Sequence, residues 1–151
     1  MTDNYQKYEI ECEKIRKQNA KLLDEFAFWL QKSNLKEETI GQHVNNIDFY
    51  INEYLLYEDA TEAKGGVFRT GMFLGYWFIK KAMWANPSQI KANAASLKKF
   101  YTFMLEKRLI NKEELDDLKK TIKVGMPEWV ETMRRYDDPS ITDMEDVRVL
   151  K

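Results

Sequence analysis

The chain has 151 residues, 44% hydrophobic and 32% charged, with a formal net charge of −1, ordinary for one soluble globular domain with a buried core. Its longest apolar run, residues 72–79, is far short of the ~20 residues a membrane span needs, so no membrane partner is expected. Its single cysteine, Cys12, excludes an internal disulfide, and the polar N-terminus shows no signal-peptide pattern; both fit a cytoplasmic location.

The charge is unevenly spread. Residues 36–63 carry one base, Lys36, against seven acids, whereas residues 64–110 carry nine bases against Glu106 alone, a local charge of +8. Residues 125–151 carry four bases and seven acids. A basic middle between acidic flanks steers an anionic partner through its local field, whatever the total; the same lysines could equally solvate helix faces or pair with the flanking acids.

With three prolines, six glycines and no strand-like alternation, the chain reads as all-α. The first helix is expected over about residues 5–32, with Tyr8, Cys12, Ile15, Leu22, Phe26 and Trp29/Leu30 at spacings of three and four, and a break or kink at Asn19. The second opens near Lys36, with Glu37 and Glu38 placed to complement the helix dipole. Its buried positions are Ile40, Val44, Ile47, Ile51 and Tyr54/Leu55, and it ends before the breaker Lys64-Gly65-Gly66. The third, about residues 67–84, is apolar most of the way round through Met72, Phe73, Tyr76, Trp77, Ile79 and Met83, and belongs at the centre. Its Gly71-x-x-x-Gly75 spacing admits close approach of another helix.

Asn86-Pro87-Ser88 starts the fourth helix. Its buried stripe is Ile90, Ala94, Leu97, Tyr101 and Met104/Leu105, and its other side carries Lys91, Lys98 and Lys99. A fifth helix begins at Asn111, which with Glu114 makes a capping-box pattern, runs to about Lys123 and is capped by Gly125. Pro127 opens a short sixth helix with Trp129, Met133 and Tyr136 on one side. Residues 1–136 then form one helical domain and residues 137–151 an acidic, mobile tail.

Two stretches together carry a family resemblance. Leu35 to Ile40, followed by His43, Val44, Ile47 and Tyr50, resembles the second helix of the SAM-like, core-binding domain of tyrosine recombinases and phage integrases. Ile90, Asn93, Leu97, Phe100, Tyr101, Phe103, Met104, Leu105 and Ile110 resemble its fourth helix and the turn after it. The resemblance covers about residues 21–123. It implies a compact four- to five-helix bundle that grips duplex DNA, here with extra helical segments at residues 5–20 and 127–136 that pack together or on the bundle. Carried over by position, the DNA-facing candidates are Thr39, Gln42, His43 and Asn46 on helix two and Lys91, Ala95, Lys98, Lys99 and Thr102 on helix four. Lys80, Lys81 and Arg69 would give outer support.

Recombinase chemistry needs an arginine cluster, a histidine-x-x-arginine and a tyrosine nucleophile to stabilise a transferring phosphoryl group. The single histidine, His43, is followed by Val44-Asn45-Asn46, so no enzymatic activity and no catalytic residue is expected. His43 either contacts a phosphate or sits half-buried. One histidine and one cysteine make no zinc site, the acidic clusters lack the spacing of a calcium loop, and no cofactor is expected. The resemblance, together with the basic middle of the chain, therefore implies a non-catalytic module binding double-stranded DNA. The acidic second helix keeps an alternative open: a protein-interaction or homodimerisation module of the same fold, with Trp129, Met133 and Tyr136 as its partner surface.

Overall fold

A computed structural model describes residues 2–81 and 86–137. Every regular element among the described residues is helical, as expected. In chain order they are α1 (Thr2–Gln31), α2 (Glu37–Asp48) running into a π-helical segment (Phe49–Tyr54), a 3-10 turn (Ala63–Phe68), α3 (Thr70–Met72), a second π-helical segment (Phe73–Trp77), α4 (Phe78–Lys81), α5 (Pro87–Glu106) and α6 (Lys112–Asp137). α5 packs along α2 and α6 and touches α1. Met83, the side chain of Tyr136 and the expected acidic tail from residue 138 lie outside the described residues.

α1 is continuous through Asn19, so the expected break is corrected. Asn19 belongs to the buried stripe of Cys12, Ile15, Phe26 and Leu30. Its amide donates across to the Ile51 carbonyl at 3.3 Å and to Asn52 Oδ1 at 2.8 Å. A polar side chain can hold a core position when a neighbouring helix takes its donors. Further up α1, the Tyr8 hydroxyl donates to the Leu56 carbonyl, and Cys12 and Ile15 close over Leu56 as a small satellite core. Residues 5–20 thus pack on the bundle, as expected.

The two π-helical segments account for the aromatic centre. The amide of Leu55 bonds the Tyr50 carbonyl five residues back, a widened turn that accommodates one extra residue. Tyr50, Ile51 and Leu55 are all buried as a result. Facing them is the second segment: Phe73 sits edge-on to Tyr50, centroids 4.7 Å apart at 74°, and Trp77 meets Tyr54 at 5.2 Å. Edge-to-face contacts set the positive rim of one ring against the negative face of another.

The helix read as starting at Val67 starts at Thr70 instead; residues before it form the 3-10 turn. This turn is pinned from two sides. Tyr50 Oη donates to the Gly66 carbonyl at 2.6 Å, and Tyr101 Oη to the Ala63 carbonyl at 2.7 Å. Gly66 is required by close approach: a Cβ there would lie 2.6 Å from Leu55 Cδ1 and 3.0 Å from Tyr50 Cε2.

α5 starts as expected. The Asn86 side chain accepts from the Gln89 amide at 2.9 Å, and Pro87 occupies the first turn, where no amide is needed. It ends with Arg108 in the left-handed region (φ 63°), the Arg108 amide bonding Leu105 and the Leu109 amide bonding Met104 at 3.0 Å. The capping box at the start of α6 is reciprocal: Asn111 N–H donates to Glu114 Oε1 at 2.9 Å and Glu114 N–H to Asn111 Oδ1 at 2.8 Å. From there one helix runs to Asp137, where two were expected. Gly125 caps nothing. A side chain at Gly125 would overlap the six-membered part of the Trp129 ring, and one at Gly75 would overlap the same ring around Nε1 and Cδ1. The Gly71-x-x-x-Gly75 spacing does admit another helix closely, and that helix is α6.

Candidate nucleic-acid interface

At about 100° per residue, Lys91, Ala95, Lys98, Lys99 and Thr102 fall on the arc of α5 opposite its buried Asn93, Leu97, Phe100 and Met104. Lys91 and Lys98 are exposed, and Lys99, Ala95 and Thr102 half-buried. α2 lies beside this arc with the chain running the other way: His43 meets Ser96 and lies in the field of Lys99, while Asn46 and Phe49 share a recess with Asn93. That register sets half-buried Thr39 and exposed Gln42 toward the Thr102 end of α5.

Ser96 is the joint between the two helices. Its hydroxyl donates to the Ala92 carbonyl at 3.1 Å, accepts from Asn46 Nδ2 at 3.0 Å, and lies 2.8 Å from His43 Nδ1. A serine hydroxyl has one proton. With that proton on Ala92, His43 is the donor through Nδ1–H, and neutral His43 keeps Nε2 as an acceptor. Burial holds the His43 pKa below its ordinary 6.5, and the Lys99 ammonium pushes the same way.

Among the described residues no carboxylate lies within ion-pair distance of Lys91, Lys98 or Lys99. The Thr102 hydroxyl donates back to the Lys98 carbonyl at 2.7 Å. Acids of α2 and of the π-helical segment that continues it border the face at both ends. Glu38 is exposed one turn before Gln42, and Asp48 and Glu53 line a recess of about 370 Å³ with Asn45, Asn46 and Asn93, at the Lys91 end. The face is thus most positive around Lys98 and Lys99.

Arg69, Lys80 and Lys81 gather elsewhere, at an aromatic cleft. Arg69 makes a loose 4.0 Å pair with Asp59, Lys80 Nζ sits 3.8 Å from the Tyr76 ring centroid, and Lys81 Nζ lies 5.6 Å from that of Tyr57. The proposed partner surface also needs correction. Met133 is 1% exposed and Trp129 is packed against the core between Gly75 and Gly125, so both are spent inside the bundle, because α6 continues without a break and turns them inward. Ser96 and the cleft residues Tyr54 and Tyr57 were missed as site residues. Ser96 interrupts the apolar arc of α5, and that interruption was the available signal; nothing local distinguishes Tyr57 from a core ring.

Among the described residues there is no group of three or more His, Cys, Asp or Glu side chains arranged to hold a metal, and no helix long and apolar enough to cross a membrane. Comparison with family models, curated proteins and solved structures finds no match to this chain.

Proposed function

We propose that the chain is a non-catalytic DNA-binding module that lays the α2/α5 face on the backbone of duplex DNA. The observation that carries this reading is the set of ammonium groups of Lys91, Lys98 and Lys99, unpaired among the described residues and aligned on the outward arc of α5. His43 lies in the field of Lys99, and Gln42 and Thr39 follow on the same helix as hydrogen-bonding side chains, in the positions that the likeness to an integrase core-binding domain points to. Phosphate contacts of this kind position a protein without reading sequence. Glu38, Asp48 and Glu53 limit the positive area, so binding is weak and strongly dependent on salt.

Three phosphate contacts give a slope of about −2.7 in log affinity against log salt, or a roughly 40-fold weakening between about 50 and 200 mM salt. Fluorescence anisotropy of a labelled duplex measures this. Lys98→Glu with Lys99→Glu should abolish binding. Absence of binding at low salt, or indifference to that double reversal, overturns the reading in favour of a protein-interaction module that keeps the fold without DNA, which the acids bordering the face would suit.

A further inference from the structure

Tyr57, Phe68, Met72 and Tyr76 are 55%, 72%, 61% and 46% exposed, and they lie on one surface. Met72 is its ridge. On one side Met72 borders the cleft formed with Tyr54, Tyr57, Arg69, Tyr76 and Trp77; on the other it borders a groove with Phe68, Glu114, Asp117 and Thr121 of α6. Apolar side chains grouped in this way mark an interaction surface. The cleft holds about 140 Å³, well under the roughly 300 Å³ at which small-molecule sites begin, so a docked surface suits it better than a bound metabolite.

The charges around Met72 are polarised. Arg69, Lys80 and Lys81 stand on the cleft side, offset in part by Glu58 and Asp59. The groove side presents Glu114 and Asp117 and no base among its lining residues. Two-fold symmetry places such a surface against its own reversed copy, so the basic end of each chain meets the acidic end of the other while the apolar ridge meets itself. We propose that two copies of this chain associate through this face, about a two-fold axis passing near Met72. This face falls short of the roughly 20–30 residues that each side of a standard interface supplies, so the association is reversible and weak. It uses a different surface from the α2/α5 face and does not depend on DNA.

Sedimentation velocity of the full chain from about 1 µM to about 1 mM tests it. The expected result is a monomer–dimer equilibrium that Met72→Asp weakens about tenfold or more, while Lys98→Glu with Lys99→Glu leaves it unchanged. Lys80→Glu with Lys81→Glu sets acid against acid at both ends of the dimer. Glu114→Gln with Asp117→Lys sets base against base and keeps a capping side chain at position 114. Each of these variants should be monomeric alone, and a mixture of the two should dimerise, because both contacts are then opposite in sign. Far-UV circular dichroism checks that every variant is folded. A strictly monomeric wild type, a folded Met72→Asp protein that still dimerises, or a mixture that stays monomeric overturns the proposal. So does a face that binds labelled single-stranded DNA in a Tyr76-dependent way while the chain stays monomeric.

Discussion

Ser96 is a small polar side chain on a face of α5 otherwise filled by Leu97, Phe100 and Phe103, and the burial of all four makes its hydrogen bonds matter. Replacing it by alanine strands the Asn46 amide and the His43 Nδ1–H together. Two half-buried donors without partners should cost about 1–2 kcal/mol in urea unfolding. His43 adds a dependence on pH. Its folded pKa is depressed below the ordinary 6.5, so the unfolded chain takes up a proton first as pH falls. The His43 contribution is therefore complete above about 6.5 and is lost as pH falls through the lower folded value. A urea midpoint followed from neutral to mildly acidic pH should decline, and His43→Gln, which can still donate to Ser96, should remove that part of the decline.

The helix ends show which local signals hold up under packing. Asn86 before Pro87 and Asn111 before Glu114 act within four residues of themselves, and both do what their sequence pattern implies. Gly125 and Pro127 form a strong stop-and-start signal, yet α6 runs through them. The ring of Trp129 needs the empty space above Gly125, and it reaches Gly75 only if the helix continues. Pro127 removes one hydrogen bond, to the carbonyl of Lys123; Lys123, Val124, Pro127 and Glu128 are exposed, so water can take that carbonyl. The end of α5 offers a direct test. Arg108 occupies the left-handed position that favours glycine, a conformation that costs a residue with a Cβ about 1–2 kcal/mol. Part of the gain is offset by the extra freedom of glycine in the unfolded chain. Arg108→Gly should therefore raise stability by up to about 1 kcal/mol in chemical denaturation.

Across the molecule, the short turn at residues 63–68 ties the two sides of the bundle together, because Tyr50 from the α2 side and Tyr101 from α5 both donate into its carbonyls. Burial pushes both phenols well above their ordinary pKa of 10, with the neighbouring tyrosines adding to the shift of Tyr50. A group raised in this way contributes stability that is fully present below the unfolded value and is lost as pH rises through the folded one. Unfolding free energy should therefore fall at alkaline pH, from about pH 10 upward. Tyr101→Phe should cost about 1–2 kcal/mol at neutral pH, by leaving the Ala63 carbonyl unpaired, and should make the alkaline decline shallower. Urea titrations of both proteins from neutral to alkaline pH measure the two effects.

The helical class, the buried stripes of α1 and α5, the caps at Asn86 and Asn111 and the lysine arc of α5 all follow from spacing along the chain, because a helix turns sequence distance directly into direction. Asn19, Ser96, Gly66 and Gly125 do not. Each depends on a side chain more than ten residues away or on a ring that a neighbouring helix must meet, and local spacing is silent about both. The same reason separates the basic residues: Lys91, Lys98 and Lys99 share a face because one helix carries them, whereas Arg69, Lys80 and Lys81 share only their charge with that set. Tertiary packing placed them beside the aromatic cleft.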